Sequence, residues 1–467
     1  MNSGKSLQMR GGYNVNLAGR PNGVIETLPE PSRLVIPLKS ARLSFTEIAV
    51  SDGESVSCGQ ILATDPACFS LPLLASRGGQ VRLNEVEGHI VIDSLEVCPS
   101  GLVEAAESLD HVAETYTAPK DRSAKIGKLI ELGAWHNLRD AHTGKVPDPE
   151  VEPQAVIVST VRSEPFRCRG DVLLRERVNE FMRGLEHIQS LLEYQPIYLL
   201  MPPSVSPLAK DIREKLRGHA YINLVLLNTK YPNYNFRLLT RSLGQKPEAE
   251  KRVWGIGVQG VLAVERALTH GLPCVNRVVS LGGPGVALPT NLRAAAGYPL
   301  DELLDSRLSV SSPRVINGGV LTGERVGEDV KGLDVECDSL TVLSNETERT
   351  FLAFVRPGFG KRSYSKTFMS SFRGKFTEGL TTALNGELRP CVSCGLCEDV
   401  CPAGIMPYLI HRFLYRDGLE DAEEARVDLC VGCGLCSYVC PSKIDLRQQL
   451  LDAQVALEEL HAEEVPE

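Results

Sequence analysis

The sequence has no long apolar run. Segments such as AVIVSTV (Ala155 to Val161) and PIYLLM (Pro196 to Met201) have the length of core strands, well short of the ~20 residues that cross a bilayer. The N-terminal MNSGKSLQMRGGYNVNLAGR lacks the apolar stretch of a secretory leader. A cytoplasmic location is therefore expected, where thiols stay reduced. There is no basic excess either: 50 Lys and Arg against 59 Asp and Glu leave a net charge of −9, which argues against nucleic-acid binding by bulk electrostatics.

Cysteine is plentiful but unevenly placed. Of the 14 cysteines, eight fall in CVSCGLCEDVCP (Cys391 to Pro402) and CVGCGLCSYVCP (Cys430 to Pro441). Each copy reads C-x-x-C-x-x-C-x-x-x-C-P, the spacing that holds [4Fe–4S] clusters, with the fourth cysteine commonly ligating the other cluster of a pair. The expected ligands are Cys391, Cys394, Cys397 and Cys440 for one cluster, and Cys430, Cys433, Cys436 and Cys401 for the other. Zinc sites use two separated CxxC pairs, which fits these runs badly. A disulfide framework belongs to small secreted domains. The six remaining cysteines show no metal spacing and read as small buried hydrophobes.

At 467 residues, three or four domains are expected. Residues 1–115 read as short strands between turns, in the pattern of a barrel-sandwich (hammerhead) domain. Carriers of that fold present a modifiable lysine at a hairpin tip, but TDPACFSLPLL (Thr64 to Leu74) has none, so the module reads as structural. Residues 116–245 alternate buried strands with helical periodicity, as in a parallel Rossmann-like α/β layer. No G-x-G-x-x-G follows AVIVSTV, PIYLLM or INLVLLN, so nothing there marks a dinucleotide site. Residues 246–335, including VWGIGVQGVLAVERAL and RVVSLGGPGVALP, suggest a small β-grasp (SLBB-like) module. Gly282, Gly283 and Gly285 could cradle phosphate, with turn formation the plainer reading. Residues 336–375 read as connecting strands that return to the core. Residues 376–467 read as an α-helical ferredoxin domain with two clusters, so the whole is a multidomain α/β protein.

The strings NLAGRPNG, RVVSLGGPGVALPTNLR, RVINGGVLTG (Arg314 to Gly323), AFVRPGFGKRSYSKTFMSSF (Ala353 to Phe372) and ALNGELRP resemble the A subunit of the sodium-translocating NADH:quinone reductases, Nqr. The double cysteine motif is instead similar to the C subunit of the related Rnf complex. The Nqr protein as usually seen lacks a complete ligand set. The Rnf C subunit opens its nucleotide domain with a glycine-rich loop. The corresponding stretch here is KLIELGAWHNLRDAHTGKVPDP (Lys128 to Pro149), with Trp135 and His136 in place of small residues.

The resemblance implies an iron–sulfur electron-transfer subunit of a membrane-attached Nqr/Rnf-like oxidoreductase complex, not a complete enzyme. It would sit at the inner face of the membrane through partner subunits. Electrons would pass between a reduced donor (an NADH/flavin subunit or a ferredoxin) and quinone or a partner subunit. The missing glycine loop argues against bound FMN and against the alternative, an NADH dehydrogenase subunit like Rnf C. A second alternative is a docking scaffold whose clusters are structural. Trp135, His136 and Arg139 are candidate quinone contacts. Lys361, Arg362 and Lys366, with Tyr364, form a candidate docking patch for an acidic partner or lipid headgroups.

Overall fold

The computed structural model of the chain describes residues 5–84, 88–96, 116–161, 164–192, 195–228, 230–245, 252–345 and 388–464. The docking candidates Lys361, Arg362, Tyr364 and Lys366, and the connecting stretch 336–375 beyond residue 345, lie outside the described residues. Among the described residues, no helix is long and apolar enough to cross a membrane.

Residues 34–96 form two small antiparallel sheets. One orders Leu34–Pro37, His89–Glu96, Gly78–Asn84 and Ser55–Val56; the other orders Glu47–Ile48, Ile61–Asp65 and Leu71–Leu74. Buried Asp65 fixes the corner, accepting hydrogen bonds from the amides of Ser44 at 2.7 Å and Ala67 at 3.1 Å.

The α/β layer is a six-stranded sheet in the order Lys5–Leu7, Ile222–Leu227, Ile197–Met201, Pro153–Ser159, Arg252–Gly257 and Arg139–Asp140. The first five strands run parallel, and Arg139–Asp140 closes the edge antiparallel. Parallel strands need helices over their faces, which is why their sequences are apolar throughout rather than alternating. Arg252–Gly257, expected in the next module, is a central strand of this one. Its apolar run is buried like its neighbours, and such a run carries no signal of which sheet it joins. Strand order reverses between Pro153–Ser159 and Arg252–Gly257, and open α/β sheets place ligands outside the carboxyl ends at such a point.

A mixed sheet follows: Glu324–Arg325, Pro313–Asn317, Ser339–Ser344, Asn276–Gly282, Thr290–Ala295 and Ile25–Thr27. The two strands of the first thirty residues therefore join the sheets of the second and third regions, not those of the first. Lys5–Leu7 edges the α/β sheet and Ile25–Thr27 edges this one. These three-residue strands are held by partners over two hundred residues away, which local pattern does not reveal. A single apolar core runs from Leu34 and Phe45 of the β region through Trp135, Phe181 and Trp254 of the α/β layer, so the two regions pack as one body.

In the cysteine-rich region, short helices Leu396–Asp399, Pro407–Leu414, Leu419–Glu424 and Leu435–Val439 precede a long helix, Leu446–Glu464. Pro407 starts its helix where a missing N–H costs nothing. The long helix seats Leu450, Ala453 and Leu457 against Ile410, Ala422 and Val427.

Candidate metal centre and adjoining cavities

The two cysteine runs fold alike. Gly395 and Gly434 take left-handed φ values of 77° and 76° and open the short helices that carry Cys397 and Cys436. That reversal wraps three cysteines round one cavity. The amide of Ser393 points at Cys391 Sγ and that of Gly432 at Cys430 Sγ, each at 3.4 Å. Such N–H donors favour a negatively charged sulfur.

Cys391, Cys394 and Cys397 share their cavity with Cys440, among Val392, Leu396, Tyr408, Ile444 and Leu446. Cys430, Cys433 and Cys436 share the other with Cys401, among Ile405, Pro407, Leu435 and Leu450. Each set thus takes its fourth member from the opposite run. Among the described residues, no three His, Cys, Asp or Glu side chains converge tightly enough for a single metal ion. A cube of four irons and four sulfides wants its thiolates apart, at separate corners, and the largely apolar, four-cysteine cavities fit that group. Burial pushes the Cys397 thiol up to about 11 and the Cys433 thiol up to about 12; iron opposes this, since thiolate is the ligand form.

This region is bolted to the rest of the chain. The Tyr231 hydroxyl donates to the Cys433 carbonyl at 2.6 Å, and Arg237 to the Cys430 carbonyl at 3.3 Å. Val15, Leu17 and Phe166 share a core with Cys397, Val400, Leu435 and Val439. A Cβ on Gly11, itself at φ +64°, would stand 2.4 Å from the Cys401 carbonyl oxygen, so only glycine lets the N-terminal segment pass there. Buried Glu164 accepts from the amides of Leu321 and Thr322 at 2.7 and 2.8 Å and from the Thr322 hydroxyl at 2.6 Å. It fixes the loop of RVINGGVLTG, whose Thr322 carbonyl in turn accepts from Arg447 at 3.5 Å.

The quinone candidates separate. Trp135 is fully buried, donates from Nε1 to the Pro147 carbonyl at 3.0 Å and stacks edge-on with Trp254 at 5.3 Å. It offers no surface to a ligand, which corrects its place among the quinone contacts: its bulk serves the core. Gly133 (φ +65°) ends the preceding helix and packs on Leu74. His136 is buried too. Its Nε2 lies 3.3 Å from a guanidinium N–H of Arg277, and burial, with Arg277 beside it, pushes its pKa down to about 3. Since arginine only donates, Nε2 accepts and the ring is neutral with its proton on Nδ1. His136 and Arg139 line a cavity of about 260 Å³.

That cavity lies at the strand-order reversal. It is bounded by Ser159 and Gly257, which end the two strands concerned, and by Val258, Gln259 and Gly260. Gly255 to Gly260 read GIGVQG, a G-x-G-x-x-G between a strand and the helix Val258–His270. Sequence reading missed it because it looked for the motif only after the three earlier strands. The glycines have distinct surroundings. A Cβ on Gly255 would enter the Phe236 ring, one on Gly260 would strike Ile256, and one on Gly257 would meet nothing within 4 Å. Gly283 and Gly285, by contrast, are packed against Val342 and Gly282 against Phe166, so those three serve close packing.

A larger cavity of about 670 Å³ opens at the ends of Pro153–Ser159 and Ile197–Met201, bordered by Tyr13, Asn16, Arg20, Glu164, Ile212 and Tyr231.

Family models match three stretches: residues 121–272 the NqrA second alpha/beta domain, residues 278–328 the NQRA C-terminal domain, and residues 387–444 a 4Fe-4S dicluster domain. Over the first two of these stretches the chain is similar to NqrA. The A subunit of the Na(+)-translocating NADH-quinone reductase of Alcanivorax borkumensis is 28% identical over 87% of this chain and 89% of its own length. That of Pseudomonas aeruginosa PAO1 is also 28% identical, over 87% and 89%, and that of Marinomonas sp. is 26% identical over 86% and 88%. Among solved structures, an NAD+-reducing [NiFe]-hydrogenase in the H2-reduced state aligns over 78% of this chain and 70% of its own, with a TM-score of 0.41 and 12% identity. The α/β match runs to residue 272, past the strand and helix that carry GIGVQG.

Proposed function

We propose that this chain is the iron–sulfur electron-transfer subunit of an Nqr-type NADH:quinone reductase complex, attached to the membrane through partner subunits. The observation that carries the reading is the pair of four-cysteine cavities with exchanged fourth members. Cys391, Cys394, Cys397 and Cys440 would hold one [4Fe–4S] cluster, and Cys430, Cys433, Cys436 and Cys401 the other. When bound, the clusters supply one-electron chemistry. The chain's own part is to keep water out with Leu396, Ile444, Leu435 and Leu450 and to aim amides at the sulfurs, both of which tune potential.

The relatives' name supports NADH and quinone as the ends of the relay. The 670 Å³ cavity supports an organic redox partner on this chain, because Tyr231 borders it and bonds the Cys433 carbonyl. A ring seated there is one side chain from the second cysteine set. That favours it over the arginine-rich cavity at His136 as the seat of a quinone or flavin-type partner.

The test is anaerobic purification of the chain with its partners. About eight irons and eight sulfides per chain are expected, with EPR signals from two clusters that appear on titration with a reduced donor and disappear on adding quinone. Stoichiometric zinc without sulfide would end the reading.

A further inference from the structure

The cavity beside GIGVQG carries more positive charge than it neutralises. Four arginines line it, Arg42, Arg139, Arg167 and Arg277, against two carboxylates, Glu336 and Asp338. Both carboxylates are engaged. Glu336 accepts from Arg42 Nε at 2.7 Å and from the Ser40 hydroxyl at 2.8 Å, and Asp338 accepts from Arg167 at 3.0 Å. Arg277 donates from Nη1 to His136 and Asn137, and its buried Nε has no partner among the described residues. The Arg139 guanidinium lines the same cavity. Burial, with Arg42 adding to it, pushes Arg139 down to about 10, the mark of a cation short of an anion.

The floor of the cavity is the start of the helix Val258–His270. Its N-cap, Gly257, supplies no side-chain acceptor, and no acidic residue occupies the first turn. The first amides of a 13-residue helix are therefore uncapped where the helix dipole is positive. The Gln259 side chain is turned to the amide of Val278 at 2.7 Å, leaving the amides clear. The open space over Gly257 lets a ligand approach the backbone.

We propose that this cavity binds a phosphoryl group, held by Arg139 and Arg277 from above and by the amides of Val258, Gln259 and Gly260 from below. A volume of about 260 Å³ lies under the usual ~300–1,000 Å³ of a site that encloses a whole drug-sized ligand. It takes a phosphoryl head, free or on a small organic body that extends outward, rather than an enclosed dinucleotide. The site is independent of the clusters.

The test is calorimetry on the full, cluster-loaded chain with inorganic phosphate and with 5′-AMP. Both should bind at millimolar concentration or below, more weakly as salt rises. Arg139→Ala and Arg277→Ala should each weaken binding about tenfold or more, the scale of one charge-assisted hydrogen bond. Gly257→Val should weaken it by filling the approach. Tighter binding of AMP makes the ligand an organic phosphate; equal binding makes it the free anion. Should either alanine variant lose iron or melt early, Arg139→Lys and Arg277→Lys carry the same comparison. Absence of binding by both probes, or binding untouched by the arginine changes, overturns the proposal.

Discussion

The Tyr231 hydroxyl lies 2.6 Å from the carbonyl oxygen of Cys433 and donates to it. Burial raises the phenol well above its ordinary pKa, so it remains a donor across the working pH range. Tyr231→Phe keeps the ring and deletes the bond, leaving a carbonyl beside the second cysteine set without its donor. Loss of about 1 kcal/mol of stability is expected. The potential of the cluster near Cys433 should also fall, because the removed dipole favours the reduced, more negative state. EPR-monitored redox titration measures this; an unchanged potential and melting point would mean the bond is incidental.

The exchange of fourth cysteines has a spectroscopic consequence. Cys401 lies with Cys430, Cys433 and Cys436, and Cys440 with Cys391, Cys394 and Cys397. Cys401→Ser should therefore perturb the cluster of the second run and Cys440→Ser that of the first. If each variant instead loses the cluster of its own run, the ligation is not crossed.

Sequence spacing grouped the cysteines as the two cavities group them, because cluster ligation demands fixed spacing and the spacing is written twice. The sequence also carried the parallel strands around AVIVSTV, whose apolar runs need burial on both faces. It misassigned VWGIG, since a buried strand does not say which sheet receives it, and GIGVQG went with it. Lys5–Leu7 and Ile25–Thr27 were illegible for a related reason: their pairing partners are distant in the chain. Trp135 was read as a quinone contact standing in place of a small loop residue, and it is a core side chain. A bulky residue in a loop looks the same in sequence whether it points inward or outward.

Trp135 can be weighed directly. Fully buried and hydrogen-bonded, it stands where the β region and the α/β layer share one core. Trp135→Ala should cost about 3–5 kcal/mol, while Trp135→Phe keeps most of the packing and loses the bond to Pro147. Denaturant unfolding distinguishes them. A loss under about 0.5 kcal/mol for the alanine variant, the range of surface changes, would contradict the core assignment.

His136 gives a pH dependence. An unfolded histidine titrates near about 6.5, whereas burial, with Arg277 next, holds the folded one at about 3. The unfolded state binds the proton first, so stability is complete above about pH 6.5 and declines as pH falls towards the folded value. Glu336 adds to the decline lower down. Burial opposes its ionisation, but Arg42 and its other partners outweigh that and hold it at about 2. Its contribution is present above the unfolded carboxylate pKa of about 4.3 and fades below it. His136→Asn, which keeps a polar group near Arg277, should flatten the stability curve between about pH 6.5 and 4.5 and leave the lower fall in place. An unaltered slope in that window means His136 is not the titrating group.

The last expectation concerns NADH. Passing the two electrons of an NADH hydride to one-electron clusters needs a flavin beside the nicotinamide, and a flavin phosphate in turn needs several amides converging in an open loop. In Lys128–Pro149, Gly133 is consumed in ending a helix and Trp135 in the core, which leaves that stretch no cradle. The amides that do converge, at Gly257–Gly260, face a cavity of about 260 Å³, too small to enclose a dinucleotide. The isolated chain should therefore purify without FMN and show no bleaching of its cluster absorbance with NADH alone, while dithionite bleaches it fully. Adding the partner subunits should restore reduction by NADH. Rapid bleaching by NADH in the isolated chain would transfer the dehydrogenase role to this protein. Arg139→Ala and Gly257→Val would then be read for flavin retention as well as for rate, to tell whether the flavin phosphate reaches the GIGVQG cavity or the flavin lies wholly in the 670 Å³ one.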